Sequence, residues 1–270
     1  MQTLASPATP NQTRTTNQRR QTDPWAQPTA RSFDDLIFKE AYQSRRLDIP
    51  TGTTWMRIIP NAAGAHPWML PIHAIKNDHF QFVHPRTFGG TNRCVFDDAY
   101  TWFKENRPEA LFSKANRTGF RLLSDRLVAF FVAIQEGDKV FARLFLHNGY
   151  GGDRGGIAGL GYRVLQLTLD EDENGNQMHE IVHPEQGVQI GIEKAKPLGA
   201  EFPRYDLHVG RIPCPVGKML VRMGEEERQA LCPIEDTVRE LTREEQWPLL
   251  AKVVGAETVE RIKESVAPNS

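Results

Sequence analysis

With 270 residues and 39% hydrophobic content, the chain has room for one large domain or two modest ones and an ordinary supply of core-forming side chains. Its longest unbroken apolar run is the eight residues Leu127 to Ile134, far short of the roughly 20 that a membrane-spanning helix needs, so no membrane partner is expected. The polar N-terminus lacks an export signal and the three cysteines suit a reducing, cytoplasmic setting. The net charge of −1 conceals a segregation along the chain. Residues 1–32 hold four arginines against Asp23, and residues 224–270 hold six bases against eleven acids. Between them, residues 84–126 carry eight bases and five acids, whereas residues 164–203 carry two bases and eight acids.

In chain order, residues 1–34 read as a disordered, mildly basic tail, rich in Gln, Thr, Asn and Pro and too poor in large apolar groups to offset chain entropy. Trp25 is unusual there and is a candidate docking residue. Residues 35–216 follow as a β-rich domain. Candidate strands run over Thr53–Pro60, Trp68–Ile75, His79–His84, Arg126–Gln135, Lys139–His147, Tyr162–Leu169 and Val188–Lys194. Gly137-Asp138 marks a tight hairpin between two of the strongest, and Asn174-Gly175 marks a loop in an acidic stretch. A helix is expected over Asp97–Glu105, with Ala99, Trp102 and Phe103 on one face. Residues 217–270 form an acidic C-terminal region, expected to be helical over Thr237–Leu250 and Ala256–Val266. The fold class is therefore mainly β with helical insertions (α+β), its short strands suggesting a barrel or a sandwich.

Strand Lys139–His147 separates into two faces. Val140, Ala142, Leu144 and Leu146 suit an interior, while Phe141, Arg143, Phe145 and His147 mix rings with a cation. Phe80, Phe82 and His84 repeat the pattern on their own strand. Rings interleaved with bases serve an extended single strand of nucleic acid, because rings stack on unpaired bases while cations meet phosphates. The alternative is that the phenylalanines pack under a helix or loop. The seven glycines of Gly149–Gly161 surround Tyr150 and Arg154, on a mobile loop able to close over a strand or on a plain linker. They match neither a Walker-type phosphate loop nor a dinucleotide fingerprint. His84, Cys94 and Asp97, with His73 or His79 as a fourth, have ligand types suited to zinc, although a cysteine followed by Val95-Phe96 also reads as core. No other cofactor is implied. No nucleophile elbow, His-Glu-x-x-His or paired-carboxylate pattern stands out, which places binding ahead of catalysis.

Together these segments resemble the single-stranded-DNA-binding protein family typified by the helix-destabilising protein of T-even bacteriophages. Trp55-Met56-Arg57-Ile58-Ile59-Pro60 resembles its opening strand, and His84-Pro85-Arg86-Thr87-Phe88-Gly89 its Cys-Pro-Lys/Arg-Thr-x-Gly. Cys94-Val95-Phe96-Asp97 falls where the family has Cys-x-x-Cys. His183-Pro184-Glu185-Gln186-Gly187, followed by Ile190, Ile192 and Lys194, resembles its Asp-Pro-x-x-Gly and last core strand, and Tyr205-Asp206 its closing segment.

The resemblance spans residues 53–213 in the correct order. It implies an OB-fold barrel that coats and protects unpaired DNA in replication, recombination or repair, with a bacteriophage as the expected source. With the ring-and-cation faces read above, the expected DNA-binding set is Arg57, Phe80, Phe82, Arg86, Phe141, Arg143 and Phe145, with Tyr150 and Arg154 on the glycine-rich loop. Two of the family's zinc cysteines stand here as His84 and Asp97, so either a degenerate set of His84, Cys94 and Asp97 holds zinc or packing has replaced the metal. Implied partners are single-stranded DNA, replication proteins recruited by the acidic C-terminal region, and neighbouring copies along the DNA. An RNA-binding OB module and a non-enzymatic assembly protein are the alternatives.

Overall fold

The computed structural model describes residues 34–60, 70–89, 93–112, 118–150, 158–169, 180–200 and 202–266. The expected basic tail up to residue 33 with Trp25, the loop residue Arg154 and the Asn174-Gly175 turn lie outside them. Eight strands form one sheet: β1 (Asp34–Leu36), β2 (Gly52–Ile58), β3 (Leu70–Lys76), β4 (Phe80–Val83), β5 (Asp125–Glu136), β6 (Lys139–Asn148), β7 (Val188–Ala195) and β8 (Arg204–Pro213). Its spine is the β5–β6 hairpin, paired without interruption from Leu127↔Asn148 to Glu136↔Lys139. The turn is Gly137-Asp138, with Gly137 at φ 59°, a left-handed conformation that glycine adopts without steric cost.

The other edge of β5 is shared. Asp125–Ala129 pair with β3, which leads to β4 and then to β1 in parallel, while Val132 and Ala133 pair with β2, which leads to β7 and β8. The strand path therefore ends at β1 and at β8. Among the described residues the sheet is an open, forked α+β sheet and not a closed barrel.

Among the described residues ten helices pack on or beside it. α1 (Glu40–Gln43) precedes β2, and α2 (Val95–Asn106), α3 (Pro108–Leu111) and α4 (Thr118–Leu122) stand between β4 and β5. α5 (Leu160–Leu167) follows β6, and α6 (Val216–Val221), α7 (Glu225–Gln229), α8 (Ile234–Thr237), α9 (Arg243–Val254) and α10 (Ala256–Val266) follow β8. Segment Tyr162–Leu169, expected as a strand, lies mostly in α5 instead. Leu160 and Val164, one helical turn apart, are both buried, and in so short a run period 2 and period 3.6 are hard to separate. β8 was legible only at its Tyr205-Asp206 start, although Tyr205, Leu207 and Val209 alternate along it. The expected helix over 237–250 is helical only from Arg243 onward, apart from Thr237. α8 ends at Thr237, and α9 starts afresh from a Thr242/Glu245 capping box.

Both faces of the hairpin are covered. Val140, Ala142, Leu144 and Leu146 pack with Ala129 and Phe131 under Val216 and Met219 of α6 and Ile234 of α8. On the opposite face Val128, Phe130, Val132 and Phe145 share a core with Met56, Ile58, Ile190, Ile192 and the Leu160 and Val164 side chains of α5. A third cluster joins Phe80 and Phe82 to Phe96 of α2 and to Leu249, Leu250, Val259 and Ile262 of α9 and α10. The acidic C-terminal region is thus built into the core. Removing residues 224–270 would strip apolar cover from β4 and α2, so a truncation cannot isolate its charge.

Candidate nucleic-acid interface

Four of the residues expected to line a groove are buried, which removes them from an open stacking surface. Phe80 and Phe82 have no exposure and lie with ring centroids 5.9 Å and 5.2 Å from Phe96. Phe145 is buried, stacked on Phe130 with centroids 4.5 Å apart. Arg57 is fully buried and donates to four backbone carbonyls: Cys214 at 2.8 Å, Ile58 at 2.9 Å, Ile181 at 2.6 Å, and His183. Burial lowers its pKa to about 10, so it stays charged at neutral pH as a structural clamp.

Phe141 and Arg143 stand near the hairpin turn, half-buried, with the guanidinium 4.8 Å over the Phe141 ring. Arg143 is already engaged. The Glu227 carboxylate of α7 lies 3.4 Å from it and 2.9 Å from Arg45, and accepts the Ala142 amide at 2.8 Å. Glu227 covers the outer edge of β6 at this point, as the Arg45 and Leu47 backbone does at Leu144.

Of the three zinc candidates, the structure brings two together. His84 Nδ1 accepts the Arg86 amide at 3.0 Å, which leaves Nε2–H to donate to Asp97 Oδ2 at 3.0 Å and holds that carboxyl below the usual range. Cys94 points elsewhere, with its thiol donating to Gln246 Oε1 at 3.3 Å, and burial pushes its pKa up to about 12. Among the described residues no three His, Cys, Asp or Glu side chains converge as a metal site. His84 caps the turn at Pro85–Phe88 through Nδ1, and its contact with Asp97 ties that turn to α2.

A different constellation gathers at the end of the sheet remote from the hairpin turn. β6 ends there with His147 and Asn148, β5 begins with Asp125 and Arg126, and β3 pairs His73 and Ala74 with them before running on to Lys76. A polar cleft of about 160 Å³ opens between Arg46, Asp48, Phe145, His147 and Tyr205. His147 stacks on Phe145 at 5.9 Å and meets the Tyr205 ring edge-on at 4.9 Å. Around it stand Arg46, which pairs with Asp35, Lys76, 3.0 Å from Asn148 Oδ1, and Lys194, 2.7 Å from the Ile49 carbonyl. Beyond the strand end Tyr150 is 50% exposed, next to the Gly149 amide that donates to the Arg126 carbonyl. Arg126 and Arg86 are exposed and flank His73. Three sequence candidates therefore fall in this group: Arg86, Tyr150 and, as a buried wall of the cleft, Phe145. Arg46, Lys76, Arg126, Lys194 and Tyr205 were missed, because they come from five separate segments that only the fold collects.

Both histidines register the positive field. Burial, then Arg46, Lys76 and Lys194, lowers His147 to about 4, and burial with Arg86, His84 and Arg126 lowers His73. His147 is thus neutral in the fold at pH 6, whereas the unfolded chain begins to bind a proton there as pH falls below 6.5. Stability contributed by the neutral ring is complete above pH 6.5 and is lost as pH drops toward 4, by at most about 3 kcal/mol. His147→Gln should flatten that part of the stability profile, measured by urea unfolding at pH 7 and pH 4.5. An unchanged acid slope would assign the loss to other groups. Comparison with protein-family models and with curated proteins finds no match to this chain.

Proposed function

We propose that the protein binds single-stranded DNA, coating unpaired strands during replication, recombination or repair, and that the strand runs across the His147 end of the sheet. The observation that carries this reading is the ring of Arg46, Lys76 and Lys194 around the edge-to-face pair of His147 and Tyr205. That arrangement supplies cations for phosphates beside rings for bases, without the donor–acceptor array that would select a sequence. Arg126, Arg86 and Tyr150 extend it along the sheet end. The preference for DNA over RNA, and the bacteriophage setting, rest on the ordered resemblance of residues 53–213. We further infer an OB-type unit of β2 and β5–β8, supported by the interior that Met56, Phe130, Phe145, Ile190 and Ile192 share. Neighbouring copies along the strand and replication proteins at the acidic C-terminal helices are the proposed protein partners. No catalytic step or cofactor enters this reading.

The test is a titration of the full chain with fluorescent oligo-dT, oligo-rU and duplex DNA at two salt concentrations. Oligo-dT should bind tightest, with log affinity falling by about 0.7 per contacted phosphate per decade of salt. Lys76→Gln and Arg126→Gln should each lower the slope by about 1. A phosphate brought beside His147 favours its protonated form, so binding at pH 5.5 should take up a proton. Equal affinity for duplex and single strand overturns the proposal, preference for oligo-rU redirects it to RNA, and the absence of salt-dependent binding favours an assembly role.

A further inference from the structure

On β2, Thr54, Met56 and Ile58 turn into the core, so Trp55 turns out onto the opposite face, where it is 44% exposed. Directly across the ladder stands Gly191 of β7, and across from that His208 of β8. A Cβ built on Gly191 would lie 3.1–3.2 Å from three atoms of the indole. The ring therefore lies flat across the glycine, with one π-face on the backbone and the other toward solvent. Gly191 does not adopt a positive φ, so the backbone has no need of glycine there, and the residue weakens the strand it occupies. Its absent side chain has a single evident consequence, which is to let the indole lie down. A tryptophan held flat and half in water forgoes burial that a core position would have provided, and it offers a rigid stacking surface.

Around the ring the chemistry suits a nucleic-acid strand. The acids here are engaged: Glu193 accepts a hydrogen bond from the His208 ring at 3.2 Å, and Asp206 lies 3.8 Å from the Arg204 guanidinium. Arg211 is exposed beyond them on β8. Side chains alternate along β7 and β8, so Lys194 and Tyr205 point from the opposite face of the sheet, and the proposed binding path reaches Trp55 only by crossing the strand ends. Lys194 is three residues along β7 from Gly191 and opposite Tyr205, a distance of about 10 Å, with Arg204 just beyond them, opposite Ala195 at the strand ends.

We infer that Trp55 is a second stacking platform, on which an unpaired base of the same DNA strand lies after the strand leaves the His147 cleft and passes over the β7–β8 rim. This rests on the single-strand reading above and adds to it a route and a residue.

The experiment compares the full-length protein with Trp55→Ala and Trp55→Phe, using oligo-dT and an abasic oligonucleotide of equal length. Trp55→Ala should weaken oligo-dT binding about 5- to 100-fold, Trp55→Phe less, and neither should alter abasic binding or the salt slope. In parallel, the unmodified protein is photo-crosslinked to 5-bromouracil-substituted single-stranded DNA, and the adduct should map to Trp55. Equal losses on both oligonucleotides, or oligo-dT binding by Trp55→Ala that matches the parent, overturn the platform while leaving the cleft in place. Should Trp55→Ala fail to fold, crosslinks confined to the His147 end overturn it on their own. No binding of either oligonucleotide by the parent protein defeats the single-strand reading itself, and the platform falls with it.

Discussion

Replacing Arg57 with methionine should destabilise the protein by about 3–5 kcal/mol, and should do so before any effect on DNA binding can be measured. The guanidinium is the link between β2 and two later segments, since its acceptors are the carbonyls of Ile58 on its own strand, Ile181 and His183 before β7, and Cys214 after β8. Methionine fills much of the volume but leaves four carbonyls without that donor in a site closed to water. Lysine keeps the charge, yet a single ammonium cannot reproduce a planar fork that reaches three segments. Gly187 is the matching requirement. A side chain there would run into the Arg57 guanidinium and the His183 carbonyl, so Gly187→Ala should be destabilising too. Urea unfolding with intact cooperativity decides the matter, and a loss below about 1 kcal/mol for Arg57→Met would show that water or repacking satisfies those carbonyls.

Phe82→Ala should cost about 3–5 kcal/mol, the range for emptying a buried aromatic site. Phe82 has no exposure and packs with Phe80, Phe96 and the apolar faces of α9 and α10, so the cavity opens at the junction of sheet and C-terminal helices. α9 and α10 should loosen with it, which hydrogen exchange in residues 243–266 would report. Tyr150→Ala supplies the contrast. Half of that side chain already faces water, and its loss should change stability by no more than about 0.5 kcal/mol while weakening single-strand binding. A Phe82→Ala protein of unchanged stability would mean that β4 is not the floor of this core.

The sequence itself contained the ladder. Alternation in 139–147 and the Gly137-Asp138 turn place β6 and the hairpin where they stand, and the apolar run of 127–134 places β5. The Ala99 and Phe103 stripe likewise places α2. These features are local, set by a period of 2 or 3.6 and by turn chemistry that neighbouring residues determine among themselves. Alternation, however, states only that a strand has two different faces, not what lies over each. Phe141, Arg143, Phe145 and His147 share one face, yet Phe145 is sealed under α5 and β7 while the Phe141–Arg143 pair is closed off by Glu227.

Which rings meet solvent was decided by elements far away in the chain. α9 and α10 bury Phe80 and Phe82, Cys214 and His183 claim Arg57, and a glycine on β7 turns Trp55 into a surface. The charge pattern followed the same division. Net charge by segment was readable from composition, but the cluster at His147 draws Arg46, Lys76, Lys194 and Tyr205 from four stretches of neutral or acidic character. Composition averages along the chain, whereas an electrostatic site depends on distances through space, and those exist only once β3, β6, β7 and β8 have been brought to one end of a single sheet.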